Sequence, residues 1–299
     1  MNAEEYFQIV AQENPLEFFS KHICPYLVGT HWDIIRKCCL LMGVTTDRSN
    51  LRMRFYILFC GGLGTGKTEL LNWWRQKMDG IMVNSELTSK TGLVGDARGI
   101  SIHPGLLAQS NGKVLLVDEL DKMSINDQNG LLQAMEEGEY TIAKGKNRQT
   151  FKAEIRVIAT CNNINKIQKP LVDRFDFPFN VSRISRISRA EYVSDIIDSF
   201  MGKNAKDYSL VVKAYLKWAR NAQTHIDPDE ESAIKKAIKD YILNTDANIE
   251  GVSYRSLEFS ILRIAYALAL LERKNIMEHH INFAIQLKDT ILKNFMNKG

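Results

Sequence analysis

Apolar residues recur along the first 180 residues of this chain in short runs that alternate with helix-period stretches. The runs cover residues 55–60, 81–84, 114–117 and 155–160. Short apolar runs of this kind predict strands, and strands that alternate with helices predict a parallel sheet with helices on its faces. The first part of the chain is therefore predicted to have an α/β fold.

Beyond residue 180 the strand pattern stops and only helical patterns remain. Helix-start signals follow at four places, Ser188 with Glu191, Asp227 with Pro228, Ser253 and Met277. We predict two domains, an α/β domain at 1–184 that includes lead-in helices and a hairpin, and an all-helical domain at 185–299.

Composition and charge change this picture little. With 45% hydrophobic and 25% charged residues the chain is typical of a soluble globular protein. The 39 basic and 35 acidic residues give a formal charge of +4, so any site for a polyanion has to be local. The longest apolar stretches are too short for a bilayer span, and acidic residues stand where a secretory signal has basic ones. We expect a cytoplasmic protein with no membrane partner.

Cysteines and histidines indicate no metal site beyond the metal that accompanies a nucleotide. The five cysteines form no CxxC pair, and they are Cys24, Cys38, Cys39, Cys60 and Cys161. They are expected to be reduced and mostly buried. The pair His279 and His280 lies in an amphipathic helical stretch, with no carboxylate cluster of ligand spacing nearby in the sequence.

Residues 61–68 read GGLGTGKT and stand between an apolar run and a helical stretch, as a phosphate-binding loop does. Such a loop approaches phosphate oxygens with bare backbone amides, so it needs glycine where a Cβ would clash. Lys67 is predicted to reach the outer phosphates of ATP, and Thr68 to ligate Mg²⁺. The alternative is an ordinary glycine-rich turn. The predicted nucleotide-binding residues are Gly61, Gly62, Leu63, Gly64, Thr65, Gly66, Lys67, Thr68 and Leu70.

Two successive carboxylates, Asp118 and Glu119, follow the apolar run 114–117, at the edge where open α/β sheets bind ligands. Asp118 is predicted to hold the magnesium shell and Glu119 to polarise the attacking water. Adjacent buried carboxylates are costly unless a cation is near, which favours this interpretation over a solvated turn. Asn162 ends the next predicted strand and is placed to orient that water, although alone it would be a turn residue.

Two arginines downstream, Arg174 in PLVDRFD and Arg255 in SYRSLE, are candidates for stabilising charge on a transferring phosphoryl group. The alternative for each is a surface salt bridge with a nearby acid.

In this order the motifs resemble the AAA+ ATPase core of the MCM replicative helicases, from about residue 18 to about residue 288. Beyond the phosphate loop, the resemblance rests on DELDKM, LLQAMEEG, EYTIAKGKNRQT, PLVDRFD and SYRSLE. It implies an AAA+ P-loop fold, a parallel sheet sandwiched by helices with a C-terminal helical lid. The chain is expected to be a minimal form, without the family's N-terminal DNA-binding domain and C-terminal winged helix.

The resemblance also implies a homo-oligomeric ring, usually a hexamer, that hydrolyses ATP between subunits and threads DNA through its centre. Lys67, Thr68, Asp118, Glu119 and Asn162 would act from one subunit, with Arg174 as arginine finger and Arg255 as sensor arginine from its neighbour. Lys144, Lys146 and Arg148 resemble the hairpin tip that grips DNA phosphates without reading sequence. The alternative for these three is a solvated basic turn.

The expected function is thus an ATP-dependent DNA translocase or helicase in replication, acting on single-stranded or forked DNA, with a loading or initiator protein as a further partner. One alternative is an ATPase that remodels or loads a partner protein. Another is a nucleotide-switched assembly factor with slow turnover, against which the full set of catalytic residues argues.

Overall fold

The structure is a computed structural model that describes residues 2–29, 31–47, 51–86, 90–96, 102–144, 147–183, 185–201, 207–245 and 257–296. Two compact units follow from its internal packing. One comprises residues 47–183, and the other combines residues 1–46 with residues 184–299. Residues 1–46 therefore pack with the helical unit, which differs from the predicted grouping. The predicted division into functional domains stays a prediction.

The unit at 47–183 is built on strands separated by helices, which agrees with the predicted α/β class. Its strands are β1 Tyr56–Cys60, β2 Ile81–Asn84, β3 Gly95–Asp96, β4 His103–Pro104, β5 Val114–Asp118, β6 Glu139–Lys144, β7 Asn147–Lys152, β8 Arg156–Cys161 and β9 Phe177–Asn180. Its α-helices are α4 Lys67–Lys77, α5 Lys90–Leu93, α6 Leu106–Gln109, α7 Ile125–Glu137 and α8 Lys169–Val172.

In this unit, five strands form one parallel sheet in the order β2-β5-β8-β1-β9. Strands β1 and β8 are buried at every position, as expected for parallel strands covered on both faces. Because β8 pairs with both β1 and β5, the carboxyl ends of these three strands lie side by side. The sequence predicted four of the five strands within one residue at each end.

The fifth strand, β9, was not predicted, because it is short and Pro178 lies inside it, and a proline within an apolar run argues against a strand. Proline cannot donate a ladder hydrogen bond and is therefore confined to edge strands. β9 pairs only with β1 and forms one edge of the sheet, so Pro178 is tolerated there.

β6 and β7 form an antiparallel hairpin at the end of α7, with register pairs from Glu139↔Lys152 to Lys144↔Asn147. The hairpin base is held by Arg54, which is 2% exposed, donates to the carbonyls of Ala153 and Ile155, and pairs with Asp47 at 2.7 Å. A buried guanidinium thus ties the hairpin to the start of β8.

The second unit is helical in its described residues, apart from one isolated bridge. Its helices are α1 Ala3–Gln12, α2 Pro15–Ser20, α3 His31–Val44, α9 Arg186–Glu191, α10 Val193–Phe200, α11 Ser209–Arg220, α12 Glu231–Asn244, α13 Leu257–Glu272 and α14 Glu278–Met296. Its core includes an aromatic cluster in which Phe7 meets Tyr215 edge to face at 5.3 Å and Phe19 lies 4.2 Å from Tyr215. This cluster joins α1 and α2 to α11, which explains why the N-terminal helices belong here.

Two predicted helix starts are shifted. α9 begins at Arg186, two residues before Ser188, and the helical run is interrupted between Glu191 and Val193. α12 begins at Glu231 rather than at Pro228, because residues 228–230 form a turn in which the Glu230 N–H donates to the Asp227 carbonyl at 3.1 Å. The predicted start near Met277 agrees with α14, and Ser253 lies outside the described residues.

Across the ranges that the structure describes, no helix combines the length and the apolar character that crossing a membrane requires.

Candidate active site

The loop between β1 and α4 is shaped by its glycines. Gly61 has φ +150°, and a Cβ at this position would lie 2.0 Å from the Val181 carbonyl oxygen. Gly66, the residue that precedes α4, has φ +88°, in the left-handed region that favours glycine. The loop therefore keeps its backbone bare and leads directly into a helix N-terminus, whose free N–H groups attract anions.

Lys67, the first residue of α4, turns its ammonium group back onto this loop. Nζ donates to the Gly62 carbonyl at 2.8 Å, to the Gly61 carbonyl and to Thr65 Oγ1 at 3.2 Å, and lies 3.5 Å from Asn162 Oδ1. Burial lowers the pKa of Lys67, against an opposing effect of nearby anionic groups that include Asp118. The cation is thus held inside the loop, where anionic phosphate oxygens would meet it.

Asp118 ends β5 and meets two hydroxyl groups. Thr160 Oγ1 donates to Asp118 Oδ1 at 2.6 Å, and Thr68 Oγ1 lies 3.5 Å from both carboxylate oxygens. A hydroxyl and a carboxylate oxygen at this separation are the hard oxygen ligands that Mg²⁺ prefers. Thr68 and Asp118 therefore fit a magnesium ion chemically.

Glu119 follows in the left-handed conformation, with φ +56°. Its carboxylate pairs with Lys122 at 2.9 Å, and its Oε1 lies 3.4 Å from Asn162 Nδ2. Lys122 also pairs with Glu86, and its hydrogen bonds to Glu86 and Glu119 raise the Lys122 pKa. Strained backbone at a non-glycine residue is often found at functional sites.

These groups line one cavity of about 200 Å³. Its lining residues are Leu63, Gly64, Thr65, Gly66, Lys67, Thr68, Glu69, Asp118, Glu119, Thr160 and Asn162. The cavity combines bare loop amides, a cation, a hydroxyl–carboxylate pair and a second carboxylate, all at the carboxyl ends of β1, β5 and β8.

Residues 2–199 match the family model described as "MCM P-loop domain".

The chain belongs to the MCM P-loop domain family.

The chain is distantly similar to curated proteins named DNA replication licensing factors. The chain is 24% identical to the DNA replication licensing factor MCM3 of Entamoeba histolytica, over 67% of the chain and 34% of that protein. It is 25% identical to mcm4 of Schizosaccharomyces pombe, over 74% and 28% respectively. For Mcm5 of Drosophila melanogaster the identity is 24%, over 95% and 45%. The chain spans about a third of the length of the first relatives it matches.

The MCM P-loop domain brings most of the predicted nucleotide-site residues together, with one correction. Leu70 was included among the nucleotide-binding residues, but its side chain is fully buried in the core. Its N–H is bonded to the Gly66 carbonyl at 3.2 Å, so no free polar group of Leu70 faces the cavity.

Arg174, one of the two predicted arginines, does not line this cavity. Arg174 follows α8 and pairs with Glu136 of α7, with Nε 2.8 Å from Oε1, in the same chain. The salt bridge weighed in the sequence thus exists, and the role of Arg174 toward a neighbouring subunit stays a prediction. Arg255 lies outside the described residues.

The hairpin predicted to contact DNA is present as β6 and β7. Arg148 is exposed, on the strand that leaves the tip. Only the backbone of Lys144 is described, and Lys146 lies outside the described residues.

Three residues of the MCM P-loop domain site were missed in the sequence. Thr160 bridges two acids, because its hydroxyl donates to Asp118 and accepts the Glu119 N–H at 2.9 Å. Arg183 donates to the Leu63 carbonyl at 2.8 Å, and Asp121 accepts backbone N–H groups after β8. Asp121, in DELDKM, and Thr160, in the ATCN segment at 159–162, were visible in the sequence. Their partners could not be predicted, because they depend on how β5 and β8 are paired.

The sequence showed no carboxylate cluster of ligand spacing beside the histidine pair, but the structure brings one carboxylate, that of Glu272, to both histidines. Glu272 Oε2 lies 3.4 Å from His280 Nε2 and 3.6 Å from His279 Nε2, at a spacing that could hold a metal ion. However, His280 Nδ1 accepts the Met277 N–H at 2.9 Å, which places the neutral ring's proton on Nε2. Lys274 adds a cation 3.3 Å from Glu272. The cluster therefore resembles an acid–base pair more than a metal site.

Proposed function

We propose that this chain is an ATP-hydrolysing motor that assembles as a homo-oligomeric ring, a hexamer by family resemblance, and moves along DNA. The observation that carries the proposal is the single cavity at the ends of β1, β5 and β8. Within it, the Asn162 amide lies 3.5 Å from Lys67 Nζ and 3.4 Å from Glu119 Oε1, and Thr68 Oγ1 lies 3.5 Å from Asp118. The printed names of the relatives, DNA replication licensing factors, support replication as the setting.

In this proposal each side chain has one task. The loop amides and the Lys67 ammonium bind the phosphates, which replace the Gly61 and Gly62 carbonyls as partners of that cation. Thr68 and Asp118 would hold Mg²⁺, which supplies charge neutralisation on the phosphates when bound. Glu119 accepts a proton from the attacking water, and the Asn162 amide orients the Glu119 carboxylate.

The proposal assigns Arg174 and Arg255 to the cavity of a neighbouring subunit. Arg174 lies outside the lining of its own cavity and is held by Glu136, an exchangeable and half-buried partner. A guanidinium that arrives from a neighbour is worth about 10³–10⁵ in hydrolysis rate. ATP hydrolysis would therefore require assembly.

DNA contact is assigned to the tip of the β6–β7 hairpin, with Lys144, Lys146 and Arg148 as the cations. Lysine and arginine bind phosphates without reading sequence, which suits a translocating motor. A loading or initiator protein is the further partner that we propose.

Strand displacement on a forked DNA tests the function. Purified protein with ATP is expected to separate the strands, and Lys67→Ala is expected to abolish both separation and ATP hydrolysis. ATP hydrolysis that is indifferent to DNA, and stimulated instead by a partner protein, would favour a protein-remodelling or loading ATPase.

A further inference from the structure

Asp121 lies beneath the candidate active site without lining it. It is in the short 3-10 turn Leu120–Lys122 that follows Glu119, and it is 9% exposed. Both of its carboxylate oxygens accept backbone N–H groups from the segment after β8. Oδ1 accepts from Asn162 at 3.1 Å and Oδ2 from Asn163 at 3.2 Å.

These two bonds fix the peptide from which the Asn162 side chain extends. That side chain reaches two functional groups, with Oδ1 3.5 Å from Lys67 Nζ and Nδ2 3.4 Å from Glu119 Oε1. Both separations lie near the upper limit for a hydrogen bond, where a small displacement makes or breaks the contact. The position of the Asn162 backbone therefore decides whether its amide reaches Lys67 and Glu119.

A carboxylate suits this place for a chemical reason. An ionised aspartate offers two acceptor oxygens and no donor, whereas an asparagine offers one acceptor and an amino group. Because the two backbone N–H groups are directed at different terminal atoms, the carboxylate matches both, whereas an asparagine in the same position would present its amino group to one of them.

We propose that Asp121 is a positioning residue for ATP hydrolysis. By holding the N–H groups of Asn162 and Asn163, it sets the Asn162 amide between Lys67 and Glu119. This inference rests on the proposed ATPase function, and it adds a residue that acts only through Asn162.

The test is a double-mutant cycle of Asp121→Asn and Asn162→Ala, with kcat and KM for ATP and unfolding by urea measured for each protein. Asp121→Asn alone is expected to lower kcat about tenfold, the equivalent of one lost charge-assisted hydrogen bond, with KM unchanged. In the Asn162→Ala background it is expected to lower kcat no further.

Asp127→Asn is the matched control. Asp127 is another buried acid, 6% exposed, but its carboxylate accepts from Ser124 at the start of α7 and contacts no group of the cavity. Its substitution is expected to lower stability and leave kcat unchanged. A general effect of removing a buried carboxylate would lower kcat in both variants.

Two results would overturn the positioning role of Asp121, an unchanged kcat in Asp121→Asn, or an equal loss of kcat with and without the Asn162 side chain. Absence of Lys67-dependent hydrolysis in the wild-type protein would instead overturn the proposed function together with the inference. If Asp121→Asn does not fold, Asp121→Glu replaces it, because it keeps both oxygens but displaces them by one methylene. It is expected to lower kcat at constant KM, and full activity would overturn the inference.

Discussion

At the scale of single residues, the contacts of Glu119 bear most directly on its proposed role as the base in ATP hydrolysis. Its carboxylate is held by Lys122 and approached by Asn162, while its backbone is held in a left-handed conformation by the turn that follows. Lys122 also pairs with Glu86 and is exposed to solvent, and exposed ion pairs contribute little to stability, so turning Glu119 away from Lys122 is expected to cost little. This arrangement suits a base that has to turn toward a water molecule.

We expect Glu119→Gln to lower ATP hydrolysis by about 10²–10⁴ while ATP binding is retained, because the amide has the same shape but cannot accept the proton. Steady-state hydrolysis and binding of a fluorescent ATP analogue measure the two effects. Glu86→Gln is the control, since it removes the other partner of Lys122 and is expected to hydrolyse ATP at nearly the wild-type rate. Wild-type hydrolysis in Glu119→Gln would exclude Glu119 as the base.

Thr160 gives a second prediction at this scale. Thr160→Val keeps the shape of the side chain but removes the donor to Asp118 and the acceptor of the Glu119 N–H. Stability is expected to fall by about 1–3 kcal/mol, since a partly buried polar group is left unsatisfied. Urea unfolding measures this loss, and Thr160→Ser, which keeps the hydroxyl, is expected to retain most of the stability. Equal stability of the valine and serine variants would contradict the bridging role.

At the scale of helices and strands, the connection between α13 and α14 is held by Glu272 and His280. Burial alone would raise the pKa of Glu272, but the hydrogen bond and charge of His280, with Lys274, outweigh it and lower that pKa. A carboxyl whose pKa is lower in the folded state stabilises the fold above its unfolded pKa of about 4.3 and loses this contribution as pH falls further.

We therefore expect Glu272→Gln to be less stable than the wild-type protein at pH values well above about 4.3, where the Glu272 carboxyl is ionised. The difference should shrink as pH falls below about 4.3, toward the lowered pKa of the folded state. Urea unfolding at a series of pH values measures it. A difference that stays constant down to pH values at which the carboxyl is protonated would show that the pair adds no charge-dependent stability.

Strands were easier to predict than helix boundaries, and the reason is physical. Strands β1, β5 and β8 are buried at nearly every position, so they appear in the sequence as apolar runs whatever their neighbours are. The start of α12 instead follows a turn at residues 228–230, and the chain just before that turn bridges from Ile226 to Ile276, which joins residues 50 positions apart. A local proline signal cannot reveal such a long-range contact.

The same distinction between local and long-range signals decides which residues of the candidate site could be predicted. Lys67 and Asp118 could be predicted, because glycine spacing and a strand followed by acids are local patterns. The contacts of Thr160 and Asp121 could not, since they depend on which strand lies beside β5. Leu70 was assigned to nucleotide binding because it lies close to the loop in the sequence, but its side chain is buried in the core.

At the scale of the whole molecule, the proposed catalytic role of Arg174 requires a neighbouring subunit, because Arg174 does not line the cavity of its own chain. We expect Lys67→Ala and Arg174→Ala to be nearly inactive separately and partly active when mixed. A mixed ring contains interfaces with an intact Lys67 on one side and an intact Arg174 on the other. Hydrolysis rates of the mixture and of each variant measure this. A mixture no more active than its parts would contradict a shared site.

The same requirement makes hydrolysis depend on concentration. The rate per subunit is expected to rise through the range in which the ring assembles, since dilution removes the neighbour that completes the site. Rates measured across a dilution series, alongside particle mass, test this directly. A rate per subunit that is independent of dilution while the mass falls to that of one chain would place the whole site within a single subunit.

The proposal that this chain hydrolyses ATP to move along DNA is tested most directly by one measurement. This is the steady-state rate of ATP hydrolysis at increasing concentrations of single-stranded DNA, at low salt. We expect a basal rate that Lys67→Ala abolishes and a rise with DNA that the double variant Lys144→Ala and Lys146→Ala loses while keeping the basal rate. Hydrolysis that never rises with DNA would contradict a motor that moves along DNA, and hydrolysis that is unaffected by Lys67→Ala would contradict the proposed ATP site.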